Sequence, residues 1–298
     1  MRTLSQVIPS VPTSDGAGVQ LRRSLGSRRG LQLDPFLMLD EFFSDNPRDY
    51  IAGFPSHPHR GFETVTYMLA GHMRHEDNLG HRGDLKAGDV QWMTAARGIV
   101  HSEMPQQTEG RMRGFQLWIN LPANEKMLPA RYRDIPASQI PSVPLGGGVT
   151  ARLIAGTLSL PAARISGPIN SDAEPRSTDP LYLDLWLPAT EEVEVPLERG
   201  HNAFLYVYEG EAQVIAAAGP DGPRGAGDGA RVPGRAAGVL SDGDAVRLRA
   251  GAADTRLLLL AARPIGEPVV QYGPFVMNTP QEIEQALEDY RSGRLSAA

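Results

Sequence analysis

The alternation of apolar and polar positions along this chain predicts many short strands. Between Thr64 and about Leu121, the runs TVTYMLAG, VQWMTA, IVHSEM and FQLWINL each have a strand's length and are rich in β-branched or aromatic residues. The polar segment HMRHEDNLGHRGDLKAGD separates the first two, and Arg97-Gly98 supplies a turn before the third. Strands at this spacing predict a sandwich or barrel built of hairpins. The stretch from Leu121 to Gly148 breaks the pattern with Pro122, Pro129, Pro136, Pro141, Pro144 and the triplet Gly146-Gly147-Gly148, and it reads as a crossover or linker. The pattern then returns in weaker form. LYLDLWL opens the second half, FLYVYEGEAQV echoes TVTYMLAGHMRH, SDGDAVRL echoes LKAGDVQWM, and RLLLLAARP closes it. Self-similarity between the halves predicts two copies of one β fold. Within the second copy, AAAGPDGPRGAGDGARVPGRAAG reads as a mobile Gly/Pro/Ala-rich loop.

One helix is marked, at about residues 280–292. Thr279, Pro280 and Glu282 form a capping box with proline at the first helical position. Ile283, Ala286, Leu287 and Tyr290 share one face, and Gly293 can end the helix. A packing role is expected for it.

Composition sharpens this picture at three points. With 32 glycines and 25 prolines in 298 residues, turns are abundant, in keeping with an all-β fold. There is no cysteine, which excludes disulfides, thiolate metal sites and a cysteine nucleophile, so a metal must sit on nitrogen and oxygen. MRTLSQVIPSVPTSDG has no apolar core of signal-peptide length, and RLLLLAA is too short to span a bilayer, so a cytoplasmic protein without membrane contact is the expectation. The net charge is −6. The run RRSLGSRR (22–29) is a local basic patch, but it lacks aromatic interleaving and any recognition motif, so direct nucleic-acid binding is not expected.

The candidate chemistry lies in SHPHRGFETVTYML. His57 and His59 are either two arms of a metal site or polar residues capping a turn. On a helix they would lie about 200° apart around the axis; on a strand they point to the same side. An H-x-H pair alone recurs by accident. IVHSEM, however, repeats the arrangement with His101 and Glu103, again in strand context after a glycine turn. Two such pairs on neighbouring strands supply three imidazoles and a carboxylate, a sound ligand set for a divalent transition metal with positions left open. Glu63 has the parity of His59 on a continuous strand, so spacing leaves Glu63 and Glu103 as comparable carboxylates. His72, His75 and His81 sit in a polar segment and read as exposed loop residues, with the mouth of a pocket as the other reading. His201 reads as a satisfied polar residue.

HPHRGFETVTYMLAG, GDVQWMTAARGIVHSEMP, GFQLWINLPANEKMLPARY and GPFVMNTPQEIEQALEDYRSGRL together resemble the pirin family, a branch of the cupin superfamily, over nearly the whole chain. The resemblance implies an all-β bicupin of two jelly-roll barrels packed face to face, with a short C-terminal helix. Residues 1–135 would form the metal-binding barrel and residues 136–298 a metal-free one. It implies one divalent transition metal, iron first, with zinc, nickel, manganese, copper and cobalt also open. The ligands would be His57, His59, His101 and Glu103, so the resemblance selects Glu103 over Glu63. The second copy offers PLERGHNAF, with no H-x-H, and no H-x-E follows Gly243-Asp244.

Two function classes follow from the resemblance. One is a quercetin 2,3-dioxygenase type of oxidoreductase, with a flavonol and O2 as substrates and Glu103 as catalytic base. Phe54, Phe62, Trp92, Met93, Phe115 and Trp118 would then line the pocket or fill the core. The alternative is a metal-binding, redox-responsive regulatory protein acting through a protein partner that the sequence does not name. A closed structural zinc site ranks behind both.

Overall fold

The computed structural model describes residues 1–28, 30–171, 173–216 and 229–296. The chain forms two compact units, and its ends exchange between them. The first unit is Val11–Ala137 with Ile265–Ala298, and the second is Met1–Ser10 with Ser138–Pro264. A single cut near residue 135 therefore does not describe these units.

Strand β1 (Leu4–Pro9) belongs to the second unit. The first unit follows with β2 (Val11–Asp15), β3 (Val19–Arg23), β4 (Phe36–Ser44), β5 (Phe54–His59), β6 (Phe62–Ala70) and β7 (Met73–Asp77). It continues with β8 (Arg82–Leu85), β9 (Val90–Thr94), β10 (Ile99–Pro105), β11 (Met112–Asn120) and β12 (Arg131–Ile135). The second unit resumes with β13 (Ser142–Gly146), β14 (Val149–Ala155), β15 (Thr157–Leu160), β16 (Ala163–Ser166), β17 (Leu181–Leu187) and β18 (Glu192–Pro196). Then come β19 (Asn202–Glu209), β20 (Ala212–Ile215), β21 (Ala230–Val232), β22 (Ala236–Leu240), β23 (Ala245–Ala250) and β24 (Thr255–Ala262). β25 (Val270–Tyr272), β26 (Phe275–Met277) and α1 (Pro280–Arg291) return to the first unit.

Each unit holds a seven-stranded and a four-stranded antiparallel sheet. The orders are β12-β9-β6-β11-β4-β3-β2 and β5-β10-β7-β8 in the first, and β1-β22-β19-β24-β17-β14-β13 and β18-β23-β20-β21 in the second. Strand by strand these are the same topology, with β1 standing where β12 stands, so the duplication read from the sequence is present. One echo shifts. Gly243-Asp244 opens β23, the counterpart of β10, whereas LKAGDVQWM leads into β9, the counterpart of β22. The proline-rich stretch also differs from a plain linker, because it contains β12 and β13, each at a sheet edge where proline is tolerated. Most of the Gly/Pro/Ala-rich loop, residues 217–228, lies outside the described residues, as does Arg29 of the arginine run.

Continuous apolar runs mark central strands. β6 lies between β9 and β11, and its first seven residues are buried. At the C-terminus the capping box is formed: the Thr279 hydroxyl accepts from Glu282 N at 3.2 Å, and the Glu282 carboxylate accepts from Thr279 N at 2.8 Å. Ile283 and Ala286 pack with Phe275, Met277 and Leu295, whereas Tyr290 is partly exposed, with its ring centroid 6.3 Å from that of Phe275. Two buried cations fasten this tail within its unit. Arg60, beside His59, donates to Asp289 Oδ2 at 2.8 Å and to Leu295 O at 3.0 Å. Lys126 donates to Gly61 O and Asn120 Oδ1, both at 2.6 Å, and to Val276 O at 2.9 Å. No helix among the described residues is long and apolar enough to cross a membrane.

Candidate metal centre

β5 and β10 pair antiparallel, with His57 directly opposite His101 and His59 opposite Ile99. This register brings the two sequence pairs together. The ring centroids of His57 and His101 are 4.3 Å apart, those of His57 and His59 4.7 Å, and those of His59 and His101 4.9 Å. One donor atom from each of the three histidines lies within 4.8 Å of the other two. His59 and His101 are buried, and His57 is half-buried.

The hydrogen bonds fit this trio to a cation. His57 Nδ1 is 2.8 Å from Pro55 O, a pure acceptor, so the neutral ring carries its proton there and keeps its lone pair on Nε2. That Nε2 sits 3.0 Å from His59 Nε2. His101 Nε2 is buried without a hydrogen-bond partner. A buried orphan acceptor costs about 1–3 kcal/mol, and a coordinated ion would relieve it. Burial, followed by neighbouring imidazoles, pushes the pKa of both His59 and His101 well below the ordinary histidine value, so both rings stay neutral as ligation requires.

Glu103 stands beside this trio but outside the group of mutually close donors. Its Oε1 is 3.0 Å from Thr66 Oγ1, and its Oε2 accepts from Gln116 Nε2 at 3.3 Å. Thr66 Oγ1 is also 2.6 Å from Gln116 Oε1. A hydroxyl has one proton and cannot donate to both oxygens. A proton on Glu103 Oε1 would complete the ring, because Thr66 could then accept from Glu103 and donate to Gln116. The direction agrees: burial raises the Glu103 pKa against the opposing pull of His57, Thr66 and Gln116.

His57, His59, Thr66, Glu103 and Gln116 line one cavity of about 590 Å³, whose apolar walls include Met38, Phe42, Phe54, Met73 and Trp118. Of the six apolar candidates named from sequence, Phe54 and Trp118 reach the cavity, and Phe62 packs against His59 and Trp118 behind it. Trp92, Met93 and Phe115 are core. Glu63 is buried away from the cavity lining and accepts from Thr94 Oγ1 at 2.6 Å. Gly61 is the reason. Its φ of +91° breaks the strand between His59 and Glu63, so parity is not carried across. A side chain there is excluded, since its Cβ would fall 1.9 Å from Val276 O.

His75 corrects the loop reading. It is fully buried on β7, its ring centroid is 4.8 Å from that of His101, and the two Nδ1 atoms are 3.2 Å apart. Only His72 and His81 behave as surface residues, bonded at 2.8 Å to Asp84 and Asp77 respectively. The signal for His75 was its parity with Met73, which also points inward. His201 is buried in the second unit with its Nε2 3.6 Å from Asp179 Oδ2.

The second unit shows what these positions become without the histidines. The turn glycines Gly71 and Gly210, both at positive φ, align β7 with β20 and set His75 against Val214. Cross-strand pairs carry the register onward. Glu103, opposite His75, corresponds to Leu248, opposite Val214. His101, opposite His57, corresponds to Val246, opposite Val195. His59 then falls on Leu197, and the Thr66–Gln116 pair on Leu205–Leu259. All seven counterparts belong to the apolar core of that unit. The polar constellation thus occupies the positions that form a hydrocarbon core in the duplicate.

Comparison with known proteins agrees with this picture. The pirin family model matches residues 18–119, and the pirin C-terminal cupin domain matches residues 182–296. The chain is 53% identical over 286 residues to a Pseudomonas aeruginosa protein provisionally named quercetin 2,3-dioxygenase, covering 96% of this chain and 95% of the relative. It is 48% identical over 294 residues to a pirin-like protein of Caulobacter vibrioides, covering 99% of both. The crystal structure of quercetin 2,3-dioxygenase from Acinetobacter baumannii superposes with a TM-score of 0.85 at 33% identity, covering 99% of this chain and 98% of that one. Two duplicated jelly-roll units with a histidine cluster in one of them are therefore a bicupin, and the chain belongs to the pirin family.

Proposed function

We propose that the chain is a metal-dependent dioxygenase of the quercetinase type, opening the heterocyclic ring of a flavonol with O2. The observation that carries this reading is the trio of His57, half-buried, with buried His59 and His101, beside a cavity of about 590 Å³ with largely apolar walls and an adjacent carboxylate. A cavity of this size and lining suits a flat aromatic ligand of drug-like dimensions. The donor set of imidazole nitrogens with an available carboxylate suits a first-row divalent ion, iron among them. His57, His59 and His101 would hold that ion with Glu103, and bound there it would supply Lewis acidity toward an ionised substrate oxygen and an electronic route to O2.

The remaining roles belong to the chain. Met38, Phe42, Phe54 and Trp118 exclude water and clamp the aromatic rings. With a cation held by the imidazoles, Glu103 would be ionised rather than protonated, so its carboxylate can take the proton of the flavonol 3-hydroxyl, and burial, which raises its pKa, favours holding that proton. Thr66 and Gln116 hold the carboxyl group at the cavity wall. Ring opening by one O2 gives the depside and carbon monoxide. Purified chain loaded with ferrous iron should bleach the quercetin absorption band and release carbon monoxide in equal amount, and His101→Ala should do neither. A metal-loaded wild type that turns over no flavonol would overturn the dioxygenase reading and leave the redox-responsive binding protein in its place.

A further inference from the structure

His75 is absent from every role above, yet it is the fourth imidazole in the cluster and fully buried. Its Nδ1 lies 3.2 Å from His101 Nδ1. Two neutral imidazoles share such a bond only if one nitrogen carries a proton and the other does not. Asp77 decides which. Its carboxylate, fully buried, has Oδ2 3.9 Å from His75 Nε2, and it also accepts from the backbone N–H groups of Leu79 and His81. A negative charge on that side favours a proton on His75 Nε2. His75 Nδ1 is then a lone pair that accepts from His101 Nδ1–H. His101 is left with its own lone pair on Nε2, the buried nitrogen that has no partner. The opposite polarity would put a proton on His101 Nε2 and end its capacity to bind an ion. The ring is fully buried, which favours its neutral form and so leaves one nitrogen with a lone pair. Tyr132 packs against the His75 ring at 4.8 Å between centroids and is itself hydrogen-bonded to Asp134 at 2.8 Å, which fixes the ring plane.

We propose that His75, oriented by Asp77, is a positioning residue that holds His101 in the tautomer with its free lone pair on Nε2. The duplicate supports this pairing, since both positions are valine there, Val214 and Val246. The proposal rests on His101 being a metal ligand, and its test separates the two.

Long-range proton–nitrogen correlation spectra of metal-free, ¹⁵N-histidine-labelled full chain at neutral pH read each tautomer directly. The expected result is a proton on His101 Nδ1 and on His75 Nε2; a proton on His101 Nε2 overturns the proposal, and no substitution in the pair is needed to see it. Titration with Ni²⁺ gives the second readout. His75→Leu should bind about 10–100-fold more weakly than wild type. His75→Asn, which keeps an acceptor oxygen near the Nδ1 position, should recover most of that loss. Equal Ni²⁺ affinity in wild type and His75→Leu would also overturn the proposal. If His101→Ala binds Ni²⁺ as wild type does, the metal assignment fails instead, even where the tautomers are as expected.

Discussion

Replacing His75 and His101 together by valine, the residue at both counterpart positions of the second unit, tests whether the site is held at the expense of stability. In the metal-free chain the two Nε2 atoms are buried without hydrogen-bond partners. Each should cost about 1–3 kcal/mol, and the single bond between the rings returns about 1 kcal/mol. The double variant removes all three terms, so in the presence of a chelator it should be more stable than wild type by about 1–5 kcal/mol. Metal should reverse the order. An ion at a thousandfold excess over its dissociation constant adds about 4 kcal/mol to the wild type and nothing to the variant. Urea unfolding followed by tryptophan fluorescence is suited to this, because Trp92 and Trp118 report on the first unit and Trp186 on the second. The transition of the second unit should not move. A variant that is less stable than wild type in chelator, with no gain of wild-type stability on adding metal, would refute the reasoning.

Other expectations concern neighbouring groups. His59 and His101 sit well below the ordinary value of 6.5 and His75 at about 4, so the unfolded chain takes up protons first as pH falls. Metal-free stability should therefore be little affected by these groups well above pH 6.5 and decline as pH falls below it, the His75 share, about 3 kcal/mol, being lost by about pH 4; urea midpoints unchanged between pH 7 and 5 would contradict this. Glu103→Gln should keep the three imidazoles and lower flavonol turnover by about 10²–10⁴-fold, and full turnover in that variant would remove the carboxylate from the chemistry. Lys126→Met should leave Gly61 O, Asn120 Oδ1 and Val276 O without their buried donor and destabilise the tail by about 3 kcal/mol or more, read as faster proteolysis after residue 264.

Much of this site was legible because strand parity is simple. His57 with His59, and His101 with Glu103, are spaced two apart, and the pairing of β5 with β10 did the rest. The same rule hid His75. HMRHED looks uniformly polar, and only the alternation of buried Met73 and His75 with the outward Arg74 and Glu76 gives it away. Glu63 shows the rule failing, since counting parity from His59 ignores the left-handed residue Gly61. The exchange of chain ends was not legible at all. β1 completes the second unit by pairing with β22, a contact more than two hundred residues away in sequence that no local pattern encodes. The shifted echo at Gly243-Asp244 has a related cause: a Gly-Asp turn can open any strand, so it marks a boundary without identifying which one.

The central claim is that His57, His59 and His101 hold one metal ion. Metal content of the purified full chain, measured beside His57→Ala after both are loaded with ferrous iron and desalted, tests it most directly. Wild type should retain one ion per chain, and the variant, with an unchanged circular dichroism spectrum, should retain none. Equal metal content in the two proteins would contradict the assignment.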